Sequence, residues 1–311
     1  MMKKRIKLCR AVEPNQGVRA LYAKRLKALQ GAFQRFVLEK IFLHLDATGT
    51  LAQDLSLSSP KTPAERAQLE ALRRKVLSSM ARANPGRVQG DIDRFVSEHL
   101  AEWTGSFTSE ARKLCTWLVQ STFTHTTRAQ REALHAAGLS RGQMRAKWTV
   151  PIVHGQYVSP AAAQAVRGLV EENAGLITRI SAADVERIAQ TVGSGLSQGM
   201  DFDALKRELR KTQGFDDARA ERVALDQTAK LSQAVQRENA KALGLTRAVW
   251  VHVPGKYTSR ETHVAMNGKQ FDLNEGLYDP EVGRKVLPGE LPYCRCVYRL
   301  VIPDELLDTD D

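Results

Sequence analysis

Residues 216–253 read DDARAERVALDQTAKLSQAVQRENAKALGLTRAVWVHV, and the period of the stretch changes at Gly244. Before that glycine the apolar residues recur at helical spacing over about seven turns. After it, "RAVWVHV" alternates and is rich in β-formers. A long helix stopped by glycine, followed by a strand, is the reading these residues require. A second β-like run, "CVYRLVI" (296–302), follows near the end, and turns are expected at Pro254-Gly255, Asn267-Gly268 and Pro288-Gly289. Asn-Gly between "VAM" and "KQF" predicts a hairpin.

Upstream the pattern is helical. Val18, Leu21, Tyr22, Leu26, Leu29, Phe33, Phe36, Val37 and Ile41 mark one amphipathic helix, with Lys24, Arg25, Lys27 and Arg35 mainly off its apolar stripe. Thr62-Pro63 starts another, to about Ala83. Separate helices are expected around Ile92–Leu100 and over Thr108–Ala137, the latter closed by Gly138. The segment 138–160 interrupts the helices with Gly, Pro and a short β-like run. Ser159-Pro160 then begins a helix to about Arg179, Ser181 with Asp184 caps the next, and "GSGLSQG" ends it. A short helix over Asp203–Lys211 precedes the stretch quoted above. Gly193, Gly195 and Gly199 lack the Gly-Lys-Ser/Thr that a phosphate loop needs.

The predicted fold is mainly α with a small C-terminal α+β module, an elongated helical body followed by a short-stranded terminal domain. The predicted organisation is a helical body with a basic arm over 1–150, a helical segment over 151–245, the α+β module over 246–303 and an acidic tail over 304–311.

Composition bounds the function. The chain has 311 residues, 42% hydrophobic and 26% charged, with a net charge of +11. No apolar run is long enough to span a membrane, and the basic start lacks the apolar stretch of a signal peptide. Residues 1–40 hold eleven Lys/Arg against two Glu, whereas residues 304–311 hold five carboxylates and no base. The basic excess makes double-stranded DNA a plausible partner, bound through phosphates without reading sequence. Lys3, Lys4, Arg5, Lys7 and Arg10 are the candidate contacts. A solvated helix face accounts for the same charge.

Four cysteines, with Cys9 and Cys115 scattered, suit a reducing compartment rather than a disulfide scaffold. Cys294 and Cys296 differ. On a strand, alternate side chains share a face, so the pair with His263 could hold Zn²⁺, with His252, Asp279 or water in the fourth place. A module of about sixty residues gives such a staple a physical motive. Packed cysteines, with His263 bonded to the backbone, are the plainer alternative. A Cys294 thiol activated by His263 is a third. Zinc nucleobase deaminases need His-x-Glu and Cys-x-x-Cys, and neither spacing occurs.

The order "ENAGLITRIS" (172–181), the 216–253 stretch, "SRETHVAMNGKQF" (259–271) and "LPGELPYCRC" (287–296) resembles the phage head morphogenesis proteins of the Mu F-like minor capsid family. The resemblance covers about residues 165–302. Its motif falls on Arg222, Asp226, Trp250, Arg260, His263, Gly268, Pro292, Cys294, Arg295 and Cys296. It departs at "VPGKYTS" before Arg260, which carries no acidic residue. The resemblance implies a non-enzymatic minor head component that joins the portal, major capsid or scaffold protein during assembly. Its implied location is the virion interior near the portal vertex, reached from the host cytoplasm. An enzymatic terminal domain, nuclease or transferase-like and delivered with the genome, is the alternative.

Overall fold

The computed structural model describes residues 7–47, 85–152, 156–198, 200, 217–254 and 259–307, with isolated positions between 62 and 71 and between 204 and 208. The expected helices over 62–83 and 203–211 and the turn at Gly255 fall largely or wholly outside the described residues, as do Lys3, Lys4 and Arg5. The fold is mainly α with a small C-terminal α+β module, as the sequence predicts.

Strand β1 (Lys7–Leu8) is followed by helix α1 (Gln16–Ala47), whose start is capped by Asn15: its Oδ1 accepts the Val18 amide at 2.9 Å. Helix α2 (Pro85–Ala136) is a single 52-residue helix where the sequence suggests two. Gly105 is the weakest former at the join, and one glycine costs a helix only about 1 kcal/mol. Trp103 and Phe107, both buried, anchor that stretch. Helix α3 (Arg141–Lys147) starts with a capping box between Ser140 and Gln143. The Ser-x-x-Gln spelling is a recognised start signal. Strands β2 (Val150–Pro151) and β3 (Tyr157–Val158) form a small antiparallel pair.

Helix α4 (Pro160–Ser197) begins at the expected place, the Ser159 hydroxyl accepting the Ala162 amide at 3.1 Å. It then runs through Ser181 without a break. Ser181 is not a cap: its hydroxyl bonds back to the Ile177 carbonyl (3.0 Å) and to Gln30 (2.9 Å). Asp184, almost fully buried, accepts from Gln30, Gln34 and Arg187. Both residues serve packing of the helix side, so the spacing that resembles a cap has another use.

Helix α5 (Asp217–Ala242) ends at Gly244, which adopts φ +78°. Strand β4 (Arg247–Val251) follows at the predicted position. The expected hairpin around Asn267-Gly268 is not formed. Residues Glu261–Met266 are instead a helix, α6, and Gly268 (φ +79°) is its stop. "THVAM" places His263 and Met266 three apart, on one buried helical face. Strand β5 (Gln270–Asp272) pairs with β4. Strands β6 (Leu277–Asp279) and β7 (Arg284–Val286) form a separate hairpin. Strand β8 (Val297–Ile302) completes an antiparallel sheet of order β1-β8-β4-β5, before a 3₁₀ turn at Asp304–Leu306.

Two compact units are present, and neither is continuous in sequence. The first comprises the described residues of Met1–Arg25, Arg112–Asn173 and Ala218–Asp311. Its core joins the sheet to helices: Trp250, Phe271, Leu300 and Ile302 pack with Cys9, Leu134, Met144, Trp148 and Leu243. The Trp148 indole N–H donates to the Asn239 carbonyl at 3.1 Å. The second unit comprises the described residues of Leu26–Ala111 and Ala174–Asp217. Its core holds Phe33, Val37, Ile41, Ile92, Phe107, Ile177 and Val192, with the Phe33 and Phe107 rings 4.6 Å apart.

Candidate metal centre

The sheet and α6 bring the module's polar residues together. Trp250, on the inward face of β4, is fully buried. Its ring meets His263 edge-on at 5.3 Å and Phe271 at 5.9 Å. Arg260 stands just before α6 and donates to the Pro292 carbonyl at 3.1 Å, tying the helix start to the segment that carries the cysteines. The turn at Tyr293 has φ +61°, unusual for a side chain with a β-carbon. Asp226 of α5 holds it, accepting the Tyr293 amide at 2.9 Å while pairing with Lys230 at 2.8 Å.

Cys294 and Cys296 leave that turn just before β8, and both are buried free thiols. Their sulfurs face one imidazole. His263 Nδ1 lies 3.3 Å from Cys294 Sγ and 3.7 Å from Cys296 Sγ. The three ligand atoms lie within 4.8 Å of one another, and the group is compatible with a structural zinc. His252, at the end of β4, points Nδ1 at Cys296 Sγ from 3.6 Å. On the far side of the His263 ring, Nε2 stands 3.2 Å from Oδ2 of Asp279, a fully buried carboxylate at the end of β6. Those two atoms are close without hydrogen-bond alignment and have no other partner. The remaining Asp279 oxygen accepts the Glu281 amide at 3.0 Å.

The electrostatics of the thiols are unequal. A hydrogen bond from Cys296 is the largest influence on Cys294 and, with His263 beside it, overcomes burial and draws that thiol well below the usual thiol range. Cys296 is pushed strongly up by the same contact and by burial. Burial opposes the charged form of His263, but the hydrogen bond and negative charge of Cys294, aided by Asp279, outweigh it and raise the imidazole. The two other cysteines lack this setting: burial lifts Cys9 and Cys115 to about 11 each.

The motif residues divide by location. Trp250, Arg260, His263, Gly268, Pro292, Cys294, Arg295 and Cys296 belong to the sheet, α6 and the cysteine segment, with Arg295 half-buried between the two thiols in sequence. Asp226 reaches the segment from α5. Arg222, one turn earlier on α5, is half-buried. Of the basic arm, Lys7 lies in β1, paired with β8 opposite Ile302, and Arg10 follows it; both are exposed. Nothing in the sequence announces the Asp226–Tyr293 contact, because 67 residues separate the partners.

No helix among the described residues is long and apolar enough to cross a membrane. No curated protein and no solved structure gives a significant match to the chain. Residues 186–299, a stretch that contains Arg222, Asp226 and every residue of the His252/His263/Asp279/Cys294/Cys296 cluster, match the family model described as Phage Mu protein F like protein, the family that the motif order resembles.

Proposed function

We propose that this chain is a minor head protein of a tailed phage, associating with the portal or the inner capsid during head morphogenesis and contacting packaged DNA without sequence preference. The observation that carries the reading is the family match over 186–299, which covers the end of α4, all of α5, strands β4 to β7 and the first half of β8. The charge balance supports it: a chain of net charge +11 with a basic N-terminal stretch suits the interior of a particle filled with polyanion. Lys3, Lys4, Arg5, Lys7 and Arg10 are the proposed phosphate contacts. The helical body supplies the portal-binding surface, and the virion interior near the portal vertex is the proposed location.

The role is non-enzymatic. Cys294, His263 and Asp279 stand in the order of a nucleophile relay, but their exposures are 4%, 2% and 0%. A nucleophile must meet substrate, and a buried thiol flanked by a second thiol is better suited to holding structure.

A pull-down with the portal oligomer alone, after nuclease treatment and at moderate salt, tests the reading. Retention of this chain is expected, together with fewer copies in mature heads than of the major capsid protein. Failure to bind portal, or turnover of nucleic acid by the purified chain, overturns it. The DNA contact has its own test. Neutralising the five arm residues should flatten the dependence of log K on log salt, whose slope is about 0.9 per neutralised phosphate.

A further inference from the structure

We propose that His263, Cys294, Cys296 and His252 form a closed, four-coordinate zinc site of structural type, and that Asp279 is the positioning residue that orients His263 on the metal. The donor set is the first argument. Two thiols and two imidazoles are donors that Zn²⁺ selects, and four protein ligands leave no open place for chemistry.

Distances make the second argument. With Zn–S of about 2.3 Å and Zn–N of about 2.0–2.1 Å, a tetrahedron has sulfur-to-nitrogen edges of about 3.5 Å. Three of the four sulfur-to-nitrogen separations are 3.3, 3.6 and 3.7 Å; His263, Cys294 and Cys296 already lie within 4.8 Å of one another, and His252 approaches that trio at Cys296. One ring nitrogen, His263 Nδ1, faces both sulfurs. A single N–H proton serves one acceptor well, whereas a cation between the three atoms serves all of them.

The far side of the ring supplies a third, independent observation. Nε2 of His263 and Oδ2 of Asp279 are buried, 3.2 Å apart and otherwise without partners. A metal-ligating histidine commonly donates its other N–H to a carboxylate, which fixes the ring and raises its basicity as a ligand. A buried carboxylate waiting behind the imidazole is what that arrangement requires. His252 is the half-exposed member and reaches the group through Cys296. The site would fasten the end of β4, helix α6 and the segment before β8 to one another.

The full chain, expressed with zinc in the medium and purified without chelator, should carry about one zinc per molecule. Replacement by Co²⁺ should give an intense thiolate-to-metal charge-transfer band and the visible bands of a tetrahedral site. Asp279→Asn should retain the metal but lose it to a competing chelator at about 10- to 100-fold lower concentration. His252→Gln should keep the charge-transfer band while shifting the visible bands as a non-imidazole ligand replaces the fourth donor. Cys294→Ser should abolish stoichiometric binding. Because that variant can fail by misfolding, the metal content of the unaltered chain carries the test. Folded wild-type protein with little or no zinc or cobalt overturns the site. An unchanged cobalt spectrum in His252→Gln removes His252 from it, and unchanged affinity in Asp279→Asn removes the positioning role.

Discussion

Replacing Asp226 by alanine should loosen the cysteine segment although the two are 67 residues apart. The Asp226 side chain is 13% exposed, and one of its oxygens accepts the Tyr293 amide at 2.9 Å. A hydrogen bond to a charged group contributes about 1.5–3 kcal/mol. The ion pair with Lys230 adds little, because that lysine side chain is 35% exposed and solvent screens it. Against this stands the left-handed conformation of Tyr293, which costs roughly 1–2 kcal/mol for a residue with a β-carbon. The carboxylate therefore holds a turn that opposes it, and Asp226→Ala should cost about 2 kcal/mol locally. Amide exchange read by mass spectrometry over 287–302 is the suitable assay, because it reports opening of this segment rather than of the whole chain. Where closing outruns exchange, 2 kcal/mol corresponds to about 30-fold faster exchange. Tyr293→Gly relieves the strain and should protect the segment. Combined with Asp226→Ala it should lose less than the two single effects added, by about 0.5–1 kcal/mol. Exchange within threefold of wild type in Asp226→Ala, or strict additivity in the double variant, would refute this reasoning.

Trp250→Ala should destabilise the first unit by about 3–5 kcal/mol, since a fully buried indole packed on His263 and Phe271 is removed; thermal melting measures it, and Trp250→Phe should be milder. Gly276→Ala should be severe, because at φ +79° its new methyl would stand 2.1 Å from the Val286 carbonyl oxygen. Gly268→Ala has the same φ but open space around it, so only the conformational cost of about 1–2 kcal/mol should appear in urea unfolding. Cys9 and Cys115, raised by burial from 9.0 to about 11, bind their protons more tightly folded than unfolded. Their contribution is complete below pH 9 and lost as pH rises to about 11, so the urea midpoint should fall across that window and should fall less in Cys9→Ala/Cys115→Ala.

The local signals in this chain are strong where one short stretch suffices to specify an element. Asn15 before α1, Ser159-Pro160 before α4, and Gly138 and Gly244 after α2 and α5 are caps and stops whose chemistry is complete within a turn of helix. Ser159-Pro160, Gly138 and Gly244 stand where the sequence suggests, and Asn15 is added by the structure. The misreadings share one cause. Ser181 and Asp184 have the spacing of a cap, yet Gln30 and Gln34 of α1 supply their partners, so the helix continues. Gly105 has no cap chemistry around it, and buried Trp103 and Phe107 carry α2 through. Asn267-Gly268 would suit a hairpin turn, but β4 finds its partners in β8 and β5, leaving the preceding residues free to coil into α6.

By itself the sequence determined the helical class, the switch to strands after Gly244, the family resemblance and the trio His263, Cys294 and Cys296, because period, stop residues and motif order are properties of neighbouring positions. Tertiary structure alone decided what surrounds that trio. Asp279 behind the imidazole, His252 beside Cys296, Asp226 on the Tyr293 amide and Lys7–Leu8 on the edge of β8 all depend on which distant segments pack together. Such choices are set by the joint burial of apolar surface from separated stretches and by the need to pair buried polar groups, and neither condition is written in any one of those stretches.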